Sequence, residues 1–311
     1  MVSRSALTRE ATFTLNRVSG HNGYSDRRRE AIAVFYRSLQ QYIMNSSEEY
    51  DILARVTQHP DRPRPIRDID QIFMLPGSQL NQAKLISSYT RSKEVVFVGD
   101  GDCMAPSIGL LAREGVIDGP MHMTVLDFDR RIVDFATRMA LQFGFQDKID
   151  AYYYNVLDPT PTDMRFRYDL FYTNPPYGSK NKGASGIGFL MRCMALCKPV
   201  GSSGVAILPY HPSEKWSRDA MCSIQRFMQE SGYLVGEMLR GMHSYHLDDL
   251  PMLRSATVIF DRVEPLPTPV LDLDLPKSIT DYFYGSANIP IPNGIDLRGQ
   301  LISETRNDTN S

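Results

Sequence analysis

No apolar run in the chain approaches the length that crosses a bilayer, and Met1-Val2-Ser3-Arg4 opens no signal-peptide core. The expectation is a cytoplasmic protein without a membrane partner. Strong charge is missing too. A formal net charge of −2 and a pI near 6.3 argue against a protein whose main task is to grip a phosphate backbone; such a surface suits small cationic substrates better. Only four cysteines occur, Cys103, Cys193, Cys197 and Cys222, and their spacing matches neither a disulfide framework nor a paired zinc site. No metal is expected, and Cys193 and Cys197 read as small buried residues of one helix. Internal repeats and coiled-coil heptads are absent as well. What remains is an ordinary globular composition, 42% apolar and 23% charged, in 311 residues. That length holds one large α/β domain with additions, or two modest ones.

What is present is an alternation. Ile32, Phe35, Leu39, Tyr42 and Ile43 share a helical face, and Ser46-Ser47-Glu48-Glu49 has capping-box spacing ahead of Ile52, Leu53 and Val56, so residues 1–60 read as a small helical segment. The proline-broken run from His59 to Arg67 and a helix over Ser78–Ser88 make 61–93 a linker and lead-in helix. From Glu94 the order is strand, glycine-acid loop, helix, strand, acid, helix, strand. It predicts a Rossmann-like domain over 94–263, with helices covering both faces of a mostly parallel sheet. Predicted strands are Glu94–Val98, Met123–Leu126, Ile149–Val156, a run ending at Thr173, and Val205–Pro209. Predicted helices are Pro106–Glu114, one carrying Ile132, Phe135, Ala136, Met139 and Phe143 on one face, Ile187–Cys197 and Trp216–Ser231. Leu234–Leu239 and Ala256–Asp261 have no long helix between them and are expected to pair antiparallel at the sheet edge. Residues 264–311 read as a proline-rich extension with a short helix near Ser278–Tyr284 and a polar tail.

Three loops carry the chemistry. Gly99 and Gly101 permit close backbone approach at a strand-to-helix turn, and about two dozen residues later Asp127 ends the next strand, where an acid can accept ribose hydroxyls. Asp158 is a candidate for the adenine amino group, and Asp129 is the expected N-cap of the following helix. The apolar run Tyr168–Thr173 ends in Asn174-Pro175-Pro176-Tyr177. Its prolines hold the Asn174 amide oxygen and the Pro175 carbonyl as converging acceptors for a nitrogen, with Tyr177 as a flat face for a base or a cation. Asp100 and Asp102 stand in the glycine loop and are candidates to hold an amine and relay its proton. Gly178–Gly186 is expected to be a lid, and His243–Asp249 a surface loop.

The segments Arg62 through Gln71, Val98-Gly99-Asp100-Gly101-Asp102, Val125-Leu126-Asp127-Phe128-Asp129 and Thr173-Asn174-Pro175-Pro176-Tyr177 resemble the catalytic domain of the branched-chain polyamine synthases, which make bis(aminopropyl)spermidine. The similarity runs from about Arg62 to about Val263. It implies a class I methyltransferase fold, here a seven-stranded sheet with an antiparallel edge pair. It also implies decarboxylated S-adenosylmethionine as cofactor and a cationic polyamine as substrate. In this reading Asp100, Asp102, Asn174 and Tyr177 are catalytic, Gly99, Gly101, Asp127 and Asp158 bind the cofactor, and Pro175, Tyr177 and Asp102 bind substrate. That family reads Asp where this chain has Gly101 and usually Asp where it has Asn174. A glycine loop with Asn-Pro-Pro-Tyr is nearer to adenine amino-methyltransferases, so S-adenosylmethionine and a nucleic-acid substrate form the alternative. A binding protein without chemistry is a third reading, and homo-oligomerisation stays open.

Overall fold

The computed structural model describes residues 47–211, 214–245, 247, 253–265, 275–284, 292–295 and 301–303. Residues Tyr50–Ser311 cluster into one compact unit. The helix expected around Ile32–Ile43, most of the proline-rich run after Pro265 and the polar tail lie outside the described residues.

Strands β1 (Glu94–Val98), β2 (His122–Asp127), β3 (Ile149–Tyr153), β4 (Leu170–Thr173), β5 (Ser203–Pro209), β6 (Tyr233–His243) and β7 (Ser255–Arg262) form one sheet of order β3-β2-β1-β4-β5-β7-β6. The first five pair in parallel, and β7 runs antiparallel to both β5 and β6. Apart from this sheet, β8 (Pro292–Ile295) and β9 (Leu301–Ser303) pair with each other.

The period of two in β1 explains why the sheet needs cover on both sides. Val95 and Phe97 enter one apolar layer, and Val96 and Val98 enter the other. Helices α1 (residues 47–57), α2 (Pro76–Thr90), α3 (Met104–Arg113) and α4 (Arg130–Phe143) close the first layer, with Leu53, Leu80, Ile86, Ile108 and Phe135 inside it. On the other face lie α5 (Ala184–Leu196) and α6 (Lys215–Glu230), with Leu190, Met194, Ile224 and Met228. Each such buried side chain contributes about 1.5–3 kcal/mol relative to its exposed state. The short α7 (Lys277–Thr280) is followed by Phe283 and Tyr284, both packed in the second layer.

Element boundaries depart from the sequence expectation where side chains cap the ends. Helix α3 starts at Met104 rather than Pro106, because Asp100 accepts the N–H groups of Met104 and Ala105 at 2.8 and 3.0 Å and so satisfies the first turn. Strand β3 stops at Tyr153 because its partner β2 ends at Asp127, the last residue it pairs with. Helix α4 is bounded as expected, by Asp129 accepting the Arg131 N–H and by Gly144 in the left-handed region at φ 72°.

The order reverses between β1 and β4, so the chain leaving β1 and the chain leaving β4 turn to opposite sides and leave a crevice above their C-terminal ends. The Thr173 hydroxyl donates to the Val98 carbonyl across that point at 2.8 Å.

Candidate active site

The crevice holds a cavity of about 280 Å³. One wall is the turn after β1. Gly99 sits at φ 71°, and a Cβ there would come within 2.7 Å of the Phe189 ring, so both backbone and space demand glycine. At Gly101 a Cβ would meet only Phe73, at 3.9 Å, so its missing side chain leaves room on the cavity side. Asp100 faces elsewhere. Both its oxygens are taken by the α3 amides, it does not line the cavity, and burial raises its pKa well above the usual carboxylate range.

Asp102 does line the cavity, and it ties three segments together. Its Oδ1 accepts the Met74 N–H at 2.8 Å and its Oδ2 accepts Asn174 Nδ2 at 2.6 Å, while Arg62 donates to its backbone carbonyl at 2.9 Å. Burial raises its pKa, opposed by the Met74 amide, the Arg62 charge and Asn174. The bond to Asn174 brings the glycine loop and the double-proline turn onto one wall, with Pro175, Pro176 and Tyr177 beside them. With its NH2 group donating to Asp102, Asn174 keeps its carbonyl oxygen as an acceptor.

Asp127 ends β2 on the opposite side of the glycine turn. Its Oδ2 accepts the Asp100 N–H and its Oδ1 the Asp129 N–H, each at 2.8 Å, and each oxygen retains a second lone pair. Burial first, then the nearby Asp129 charge, push its pKa up to about 7. Phe128 and Tyr284 stack at 4.9 Å beside it, and Tyr154, Val156 and Phe189 complete an apolar wall. Asp129 is occupied by Arg131 and by Gln71, which donates to it at 3.0 Å. Asp158 is exposed and outside the lining; its carbonyl accepts the Tyr154 hydroxyl at 3.2 Å.

Among the described lining residues three carboxylates, Asp70, Asp102 and Asp127, face one guanidinium, Arg67, and no lysine. Sequence reasoning missed Asp70, Phe73, Trp216, Tyr245 and Tyr284, which reach the cavity from four separate segments, Asp70 and Phe73 sharing the stretch ahead of α2. Asp70 lay within the Arg62–Gln71 segment and Tyr245 within the His243–Asp249 loop, but neither was assigned to the site. There His243 is a buried strand residue rather than part of a surface loop, and burial lowers its pKa to about 4. His246, Asp248 and Asp249 lie outside the described residues.

Among the described residues no helix is long and apolar enough to cross a membrane, and no cluster of metal-ligating side chains occurs. A family model described as branched-chain polyamine synthase A C-terminal domain matches residues 51–265. Among curated proteins, N(4)-bis(aminopropyl)spermidine synthase from Thermus thermophilus is 28% identical over 189 residues, 60% of this chain and 50% of that one. The protein of the same name from Thermococcus kodakarensis is 27% identical over 188 residues, again 60% and 50%. The chain thus matches about half the length of these relatives. A mutein of the Thermus thermophilus branched-chain polyamine synthase, solved with N4-aminopropylspermidine and 5′-methylthioadenosine, superposes with a TM-score of 0.61 at 23% identity, covering 78% of this chain and 70% of that one. At that identity the likeness speaks for the fold.

Proposed function

The chain belongs to the branched-chain polyamine synthase A C-terminal domain family, and from that premise we propose that it transfers an aminopropyl group from decarboxylated S-adenosylmethionine to an amine nitrogen of a polyamine, in the cytoplasm. The observation that carries the proposal is the Asp102–Asn174 hydrogen bond, because it joins the turn expected to hold the cofactor to the turn expected to hold the amine in a single acidic, aromatic cavity.

The residues fit an adenosine-bearing group. Gly99 and Gly101 let the backbone approach closely, Asp127 has lone pairs to spare for two ribose hydroxyls, and Phe128 and Tyr284 offer aromatic surface. When bound, the cofactor supplies a carbon made electrophilic by an adjacent sulfonium. The protein's part is to bring a neutral nitrogen in line with that carbon and to remove its proton. A free amine has a pKa near 10, and a carboxylate whose own pKa is raised is the better partner for that proton. Asp102 is that carboxylate. Asp100, the other candidate, serves the α3 cap instead. Asn174 is not a base; it orients Asp102 and offers its carbonyl to the amine. Asp70 and Asp102 repel a carboxylate-bearing tail and attract ammonium groups, which favours the decarboxylated cofactor.

Gly101, where the family reads Asp, and Asn174, where it usually does, support one second reading, methyl transfer from S-adenosylmethionine to the amino group of an adenine in nucleic acid. Calorimetry with both cofactors separates the two. Tighter binding of the decarboxylated form supports aminopropyl transfer, preference for S-adenosylmethionine rejects it, and binding of neither rejects both.

A further inference from the structure

We propose that a buried hydrogen-bond chain from His243 to Tyr177 holds the Tyr177 hydroxyl as an acceptor toward the amine, which makes His243 a positioning residue for the site. The inference rests on the aminopropyl-transfer reading.

The chain is continuous. Tyr177 and Tyr245 share a hydrogen bond of 2.5 Å between their hydroxyls, Tyr245 meets Ser255 Oγ at 2.6 Å, and Ser255 meets His243 Nδ1 at 2.7 Å. His243 Nε2 then lies 2.9 Å from Gln82 Oε1, which Thr257 also contacts at 2.6 Å. Register puts His243 on β6 opposite Ser255 on β7, and Gln82 reaches both from α2. Gln82, His243, Ser255 and Thr257 are fully buried, so water does not scramble the donors.

Its polarity follows from the acceptor at the far end. An amide oxygen only accepts, so Thr257 and His243 both donate to Gln82, and a neutral imidazole with its proton on Nε2 has a bare Nδ1. Ser255 therefore donates to His243, Tyr245 to Ser255, and Tyr177 to Tyr245. Tyr177 spends its one proton inward and presents lone pairs only. Asn174 gives one of its two N–H groups to Asp102, and that bond leaves its carbonyl oxygen as a second acceptor at the double-proline turn. The arrangement leaves Gln82 Nε2 without a partner among the described residues. Turning that amide over would reverse every bond in the chain and point the Tyr177 proton at an incoming ammonium. Burial keeps the imidazole neutral, with a pKa lowered to about 4, so His243 does not take up the substrate's proton at neutral pH.

Two measurements test this. In 15N spectra of histidine-labelled protein, the signal lost in His243→Leu is expected to show a protonated Nε2 and a bare Nδ1 between about pH 6 and 8. A proton on Nδ1 overturns the proposal. By calorimetry, His243→Leu and the smaller change Ser255→Ala are each expected to weaken N4-aminopropylspermidine roughly tenfold while 5′-methylthioadenosine stays within about twofold. In a Tyr177→Phe background the same substitutions should have no further effect. Equal weakening of both ligands, or an undiminished effect in that background, assigns His243 a structural part only and overturns the proposal. If the wild-type protein binds neither ligand, the aminopropyl-transfer reading fails, and the tautomer still decides the polarity of the chain.

Discussion

Asp102→Asn separates chemistry from packing at the centre of the site. The carboxylate accepts from Met74 N–H through one oxygen and from Asn174 Nδ2 through the other. Asparagine keeps one acceptor and puts an NH2 group against a donor at the second, which costs about 1–3 kcal/mol for an orphaned buried group. Part of that is returned, because burial already disfavours the charged form that the substitution removes. Net stability should fall by less than about 2 kcal/mol. Losing a general base costs roughly 10²–10⁴ in rate. Asp100→Asn is the contrast: its carboxylate caps α3 through two amides, so it should lose about 1–2 kcal/mol of stability and keep most of its turnover. Single-turnover kinetics with decarboxylated S-adenosylmethionine and spermidine, alongside denaturant unfolding, read both quantities. An Asp102→Asn enzyme within about tenfold of wild type, below the range for a lost base, would refute the assignment, as would an Asp100→Asn enzyme that is stable and inactive.

Gly99→Ala forces a side chain into the left-handed region and into the Phe189 ring, so 5′-methylthioadenosine binding should weaken at least tenfold by calorimetry, with a lowered melting temperature. Tyr284→Ala removes half of the Phe128 stack and the bond from its hydroxyl to Asn155, and the same titration should show a loss of roughly tenfold in affinity for 5′-methylthioadenosine. For pH dependence the sign is set by Asp127, whose folded pKa of about 7 exceeds its ordinary 3.8. The folded chain holds that proton more tightly, so the stability it contributes is full below the ordinary value and is lost as pH rises to about 7, at most about 4 kcal/mol. Denaturant unfolding of wild type and Asp127→Asn at about pH 5 and pH 8 should show the pH slope flattened in the variant; parallel slopes would contradict the assignment.

The sheet was legible because its strands announce themselves. Glu94–Val98 is an apolar run buried on both faces, and the turn residues after β1, β2 and β4 are the ones a crevice at the strand ends requires. The meeting of Gly99, Asp127 and Asn174 followed from parallel order alone. Asp100 was harder: an acid in a glycine loop looks the same whether it faces a ligand or caps the next helix, and only the fold shows both oxygens on α3 amides. Asp158 lies outside the cavity for a related reason, since the chain leaves the sheet after Tyr153 and carries that residue to the surface. Phe73, Trp216, Tyr245 and Tyr284 carry no spacing signal, because each enters the cavity from a different segment, Trp216 from the first turn of α6, and is brought there by packing rather than by period. The His243 chain was hidden in the same way, its members separated by up to 175 positions.

Product analysis tests aminopropyl transfer most directly. Wild-type protein incubated with decarboxylated S-adenosylmethionine and spermidine should release 5′-methylthioadenosine together with an aminopropylated polyamine detectable by mass spectrometry. Release of neither, with methylation of adenine from S-adenosylmethionine instead, would contradict it.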